Sequence, residues 1–164
     1  MLGQLFDRLL WLLAALSAGI FGAIAIVISI NVALRNLGLP VIYGALDGIQ
    51  YALMIATFMG APWVLARDGH VKVDLLTASL APHTQTMLAR VTALIGALTA
   101  AVLGWYGFQA AVASAARGSM IRTSFVIPEW WMLAFVPVSL TLCVIVFARK
   151  LVRPDDPDRA LSGL

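Results

Sequence analysis

The chain has 164 residues, of which 62% are hydrophobic and 12% charged, and its mean hydropathy is +0.95. Soluble domains use roughly 45–50% apolar residues, so lipid rather than water is the expected solvent. The formal net charge of +3 is carried by residues set singly or in short clusters between apolar runs, which excludes the continuous basic face that nucleic acid requires. The single cysteine, Cys143, excludes an intrachain disulfide and reads as a small apolar filler.

A bilayer core about 30 Å thick takes about 20 helical residues. Four apolar runs of that length follow one another, giving an all-α integral membrane protein with one transmembrane domain over residues 1–153. The first run, 9–34, is too long for the apolar region of a signal peptide and reads as a retained anchor. Ala14, Ala18 and Gly22 line one side of it at the four-residue spacing that lets membrane helices approach closely. The second run, 42–66, carries Asp47 near its start and Pro62 near its end, where the ring removes the hydrogen bond to the Phe58 carbonyl.

After the second run comes Arg67 to Asp74, reading RDGHVKVD, which opens an amphipathic stretch ending near Pro82. Val73, Leu76 and Leu80 share a helical face, while Val71, Val73 and Leu75 also fit an extended alternation. The reading adopted is a short interfacial segment between helices 2 and 3.

The third run, 87–116, holds a second small-residue ladder of Gly96, Ala100 and Gly104, and at about 45 Å of helix it must tilt, bend or protrude. The fourth, 129–147, follows Pro128, expected at the first helical position, and opens on Trp130 and Trp131, which suit the headgroup level as interface anchors. The tail 154–164 is polar and short and is expected to be disordered.

Topology follows from the positive charges. Arg8, Arg67, Lys72, Arg90, Arg149, Lys150, Arg153 and Arg159 lie on one side, against Arg35, Arg117 and Arg122 on the other. Positive loops stay in the cytoplasm, so both termini are expected there, N-in and C-in. The middle of every run lacks Asp, Glu, Lys, Arg and His, the groups that mark proton relays and substrate paths in membranes. His70 and His83 both fall between the second and third runs, which argues against haem held between helices. Asp68, His70 and Asp74 have no second cluster to complete a metal site, and no nucleophile with a base and orienting partner is evident. No catalytic residue, metal or cofactor is therefore assigned.

An ordered series of residues resembles the small membrane subunit of tripartite ATP-independent periplasmic (TRAP) transporters, the DctQ-like family. It comprises Asn31, Arg35, Asp47, the segment FMGAPWVLARDGHVKVDLL from Phe58 to Leu76, Trp105, Gly107, Ser114, Gly118, Ile127, Pro128, Trp130 and Pro137. Arg67, Gly69, His70, Val73 and Asp74 are its most specific part. Two positions depart from the pattern: Asp47 stands alone where a Glu pair is common, and Ser139 stands where glycine is common.

The resemblance implies a non-catalytic, multi-pass subunit of the bacterial or archaeal inner membrane. It would brace a large permease subunit that holds the substrate and sodium sites. A periplasmic substrate-binding protein would deliver an organic acid or related solute to the pair. On that reading, Arg35, Asp47, Arg117, Arg122 and Glu129 are the candidate periplasmic docking surface. The alternative is a self-sufficient small homo-oligomeric exporter or channel, for which a membrane-embedded acidic residue would be expected.

Overall fold

The computed structural model describes residues 2–67 and 82–152. The four apolar runs form helices α1 (Leu2–Asn36), α2 (Ala45–Ala66), α3 (Pro82–Arg117) and α4 (Glu129–Val152). All four are long and apolar enough to cross a membrane. The interfacial segment expected after α2 and the polar tail both lie outside the described residues.

Helices α1, α3 and α4 extend beyond the apolar runs, because backbone hydrogen bonding continues past the point where side chains turn polar. Helix α1 begins near Leu2 rather than residue 9, and α4 continues to Val152 rather than residue 147. Helix α2 is shorter than its run. The chain enters it through Gly44 at φ 71°, a left-handed conformation that leaves Ile42 and Tyr43 outside the helix.

Helices α1 and α3 stop in the same way. Gly38 (φ 69°) follows α1, with its N–H donating to Arg35 O and that of Leu39 donating to Leu34 O. Gly118 (φ 62°) follows α3, with the corresponding bonds to Ala115 O from Gly118 and to Ser114 O from Ser119. Each glycine supplies the left-handed residue that closes a helix C-terminus and satisfies its last carbonyls.

Between α3 and α4 lies a hairpin absent from the sequence reading. Strand β1 (Met120–Arg122) pairs antiparallel with β2 (Val126–Pro128), with Ile121 opposite Ile127. Pro128 thus ends a strand, and Glu129 is the first helical residue, so the proline stands one place before the expected helix position. Strand-like Ile121, Val126 and Ile127 around a Thr-Ser turn were the local signal for it.

The helices form an open row. Helix α1 packs on α2, α2 on α4, and α4 on α3, leaving α1 and α3 at the two edges. Helices in lipid gain little by exchanging lipid contact for one another, so the seams depend on close backbone approach.

At the α3/α4 seam, a Cβ on Gly96 would lie 2.5 Å from the Phe147 ring, and one on Gly107 would lie 3.2 Å from Val136. Ala100, between them, is 6% exposed. The ladder of Gly96, Ala100 and Gly104 therefore lies within this seam.

The α1/α2 seam uses other residues than the first ladder. Leu10, Ser17 and Ile24, seven apart, are the buried line of α1. The Ser17 hydroxyl donates to Ala56 O at 2.6 Å, and a Cβ on Gly60 would sit 2.8 Å from that hydroxyl oxygen. Ala56 and Gly60, four apart on α2, are the small pair that admits Ser17. Ala14 is half-buried, whereas Ala18 and Gly22 are exposed and nothing approaches within 4 Å of a Cβ built on Gly22. At the end of the row carrying the N-terminus, Arg149 bonds Asp7 at 2.7 Å and lies 4.8 Å over the Phe6 ring, joining α4 to α1.

Because Ser17 and Gly60 share one space, their substitutions should couple. Gly60→Ala is expected to destabilise the protein by about 1–3 kcal/mol through overpacking. Removing the hydroxyl with Ser17→Ala in the same chain should recover part of that loss, whereas independent sites would simply add. Unfolding in mixed detergent micelles for the four proteins of the cycle measures both terms.

Candidate functional site

The hairpin end of the row gathers every residue of the candidate docking surface. Arg35 closes α1, Asp47 lies in the first turn of α2, Arg117 closes α3, Arg122 ends β1, and Glu129 opens α4. The fold separates them into two groups with different roles.

The two carboxylates are turned inward. Asp47 Oδ2 accepts the backbone N–H of Ser124 at 2.8 Å, tying the hairpin turn to the start of α2. Its first-turn position also sets negative charge against the unbonded N–H groups of the helix N-terminus. Glu129 accepts the hydroxyl of Ser114 at 2.8 Å, and Ser114 is fully buried. The Glu129 backbone N–H donates to Ser119 O, so α3 and α4 are pinned at the point where the hairpin leaves them.

Around these bonds the loops are tied down further. The hydroxyls of Tyr51 and Thr123 lie 2.7 Å apart, and Asn31 Oδ1 accepts the N–H of Ile42 at 3.1 Å. The Phe125 ring covers Gly44, where a Cβ would come within 2.8 Å of it. Gly44 is thus required twice, for its left-handed backbone and for its missing side chain.

The three arginines are left outside this network. Arg35, Arg117 and Arg122 are exposed, and among the described residues none of their guanidinium groups has a hydrogen-bond or ion-pair partner. With Asp47 and Glu129 committed to internal bonds, the described charged groups left without a partner at this end are the three arginines. Trp130 and Trp131 stand at the same end on the first turn of α4, partly exposed and packed edge to face with centroids 6.0 Å apart.

Sequence reasoning selected the charges but could not separate bound carboxylates from free arginines. It also missed Tyr51, Thr123 and Ser124, whose roles depend on a hairpin folding back over α2, more than 70 residues away in the chain. Of the signature loop, Gly69, His70, Val73 and Asp74 lie outside the described residues, as do Asp68 and the rest of the notional metal cluster. Arg67 is described: its guanidinium lies 5.4 Å over the Trp63 ring one turn earlier.

Loss of the inward bonds should loosen this end without unfolding the row. Ser114→Ala leaves the Glu129 carboxylate short of a buried donor and is expected to cost about 1–2 kcal/mol in thermal unfolding. Asp47→Ala should speed hydrogen exchange at the Ser124 amide while leaving exchange in the middle of α4 unchanged.

Residues 24–156 match the family described as tripartite ATP-independent periplasmic transporters, DctQ component. No curated protein matches the chain. The match takes in the C-terminal part of α1 from residue 24, all of α2, α3 and α4, and the hairpin with its anchoring bonds. A multi-pass helical architecture, the ordered series from Asn31 to Pro137 and this match over most of its length agree: the chain belongs to the DctQ family, the small membrane component of TRAP transporters.

Proposed function

We propose that this chain is a non-catalytic brace for the large permease subunit of its transporter, held in the inner membrane with both termini in the cytoplasm. The observation that carries the reading is the open row itself. Four spans with no charged residue in their middles are joined edge to edge, and most of their apolar surface is left exposed on both faces. Such a layer offers a large area to a neighbouring membrane protein and no polar path of its own. Substrate and sodium sites then belong to the large subunit, and uptake of an organic acid or related solute is driven there.

The hairpin end faces the periplasm on this reading. Arg35, Arg117 and Arg122 form a positive face suited to acidic groups on the substrate-binding protein, steering it towards the membrane pair. Asp47 and Glu129 contribute indirectly by fixing the hairpin on which Arg122 stands.

Co-expression tests the brace. The large subunit is expected to co-purify with this chain and to lose stability and transport when the chain is omitted. Full transport by the large subunit alone, reconstituted in vesicles, would remove the role. Docking has a separate readout. Arg117→Glu with Arg122→Glu should weaken the affinity of the binding protein for the membrane complex by roughly tenfold at low salt, with a smaller effect at high salt. Unchanged affinity at low salt would move docking elsewhere.

A further inference from the structure

Most hydroxyls within the spans are met inside the chain, the buried Ser139 excepted. The hydroxyls of Ser29, Thr57, Thr92, Thr99 and Thr141 each donate to the carbonyl four residues earlier on the same helix, at 2.7–2.9 Å. Ser17 donates across the α1/α2 seam. These groups need nothing from lipid.

Trp105, Tyr106 and Gln109 on α3 are different. Trp105 is 61% and Tyr106 65% exposed, and Gln109 is exposed as well. Among the described residues, neither the indole N–H, the phenol hydroxyl nor the carboxamide has a hydrogen-bond partner.

Their depth makes this costly. Ser114 is bonded to Glu129 and marks a level near one surface. At 1.5 Å per residue, Gln109 lies about 7 Å, Tyr106 about 12 Å and Trp105 about 13 Å further in, while Arg149 at the opposite end of α4 is about 30 Å from Glu129. Lipid tails at those depths offer no donor or acceptor, and Trp and Tyr ordinarily sit at the headgroup level, as Trp130 and Trp131 do.

Their direction is common. The line of α3 that meets α4 runs through Ala100, Gly104 and Gly107. At 100° per residue Gln109 points directly away from Ala100, with Trp105 and Tyr106 about 40° and 60° to either side. The three groups therefore crown the free edge of the row, where none of the described helices packs. Trp105 also borders an apolar groove of about 630 Å³ between α3 and α4, lined by Ala101, Phe108, Pro137 and Val138 among others.

We infer that the free edge of α3 at Trp105, Tyr106 and Gln109 is the seat of a transmembrane helix of the large permease subunit, which supplies small residues and hydrogen-bonding groups to this polar triad. The inference rests on the brace reading and assigns it a face. A second copy of this chain fits poorly. At the level of the triad the outer face of α3 runs Leu98, Val102, Trp105, Gln109 and Val112, large side chains that hold two such edges apart. Acyl chains fill the groove but leave all three polar groups unmet. A partner helix with small side chains meets both needs.

Substitution distinguishes an interface from a lipid-facing edge by sign. In lipid, Gln109→Leu removes an unsatisfied amide and leaves assembly unchanged or improved. At a partner interface, Gln109→Leu and Tyr106→Phe should each lower the yield of complex surviving detergent by about three- to tenfold, with the helical content of the isolated chain unchanged. A benzophenone amino acid at Val102 or Val112, in membranes carrying both subunits, should give an adduct of their combined mass. Adducts with lipid or a second copy only, or a Gln109→Leu complex recovered at full yield, would overturn the assignment. Co-purification of the unmodified pair without these adducts would leave the brace standing on another face, whereas failure of the unmodified pair to associate would remove the brace and this seat together.

Discussion

Close backbone approach is the constraint on which the arrangement depends. Apolar side chains lose no water when two helices meet in lipid, so contact is favoured only where surfaces fit and backbones come near. Gly96 and Gly107 provide this for α3 and α4, and Ala56 with Gly60 provides it for α1 and α2. At the second seam the space left by Gly60 is occupied by a hydroxyl that also bonds the Ala56 carbonyl, so packing and hydrogen bonding coincide at one point.

Two strong seams joined through an α2/α4 contact yield a row rather than a closed bundle. A bundle would hide its apolar faces around a shared core. The row leaves them outward, which suits a subunit whose surface is completed by a neighbour. Rigidity then has to come from the ends. At one end Asp47, Ser114 and Glu129 bind the hairpin to three helices, and at the other Arg149 reaches across to Asp7 and Phe6. The exposed Arg149 pair adds little by charge alone, so its use is to set geometry.

The charges at the hairpin end illustrate how a fold changes the meaning of residues. Five ionisable side chains near the ends of the spans look equivalent in a linear sequence. Once the hairpin folds over α2, the carboxylates hold the loops and only the arginines remain available. The net charge at that end is unchanged, but the groups free to meet a partner are all cationic.

Much was legible in the sequence. The four spans and the family resemblance follow from local features: length, apolar continuity and an ordered series of residues. The ladder at Gly96, Ala100 and Gly104 was visible because it repeats along one helix. The choice of seam on α1 was not. Ala14, Ala18 and Gly22 have the spacing for close contact, yet Ser17 faces α2, because selection depends on the complementary space at Gly60 on another helix. The hairpin, the inward turn of Asp47 and the isolation of Trp105, Tyr106 and Gln109 were hidden for the same reason. Sequence determines what each helix can present to lipid or to a neighbour. Which face meets which neighbour, and which polar group is left without one, is decided only when all four helices compete for the same contacts.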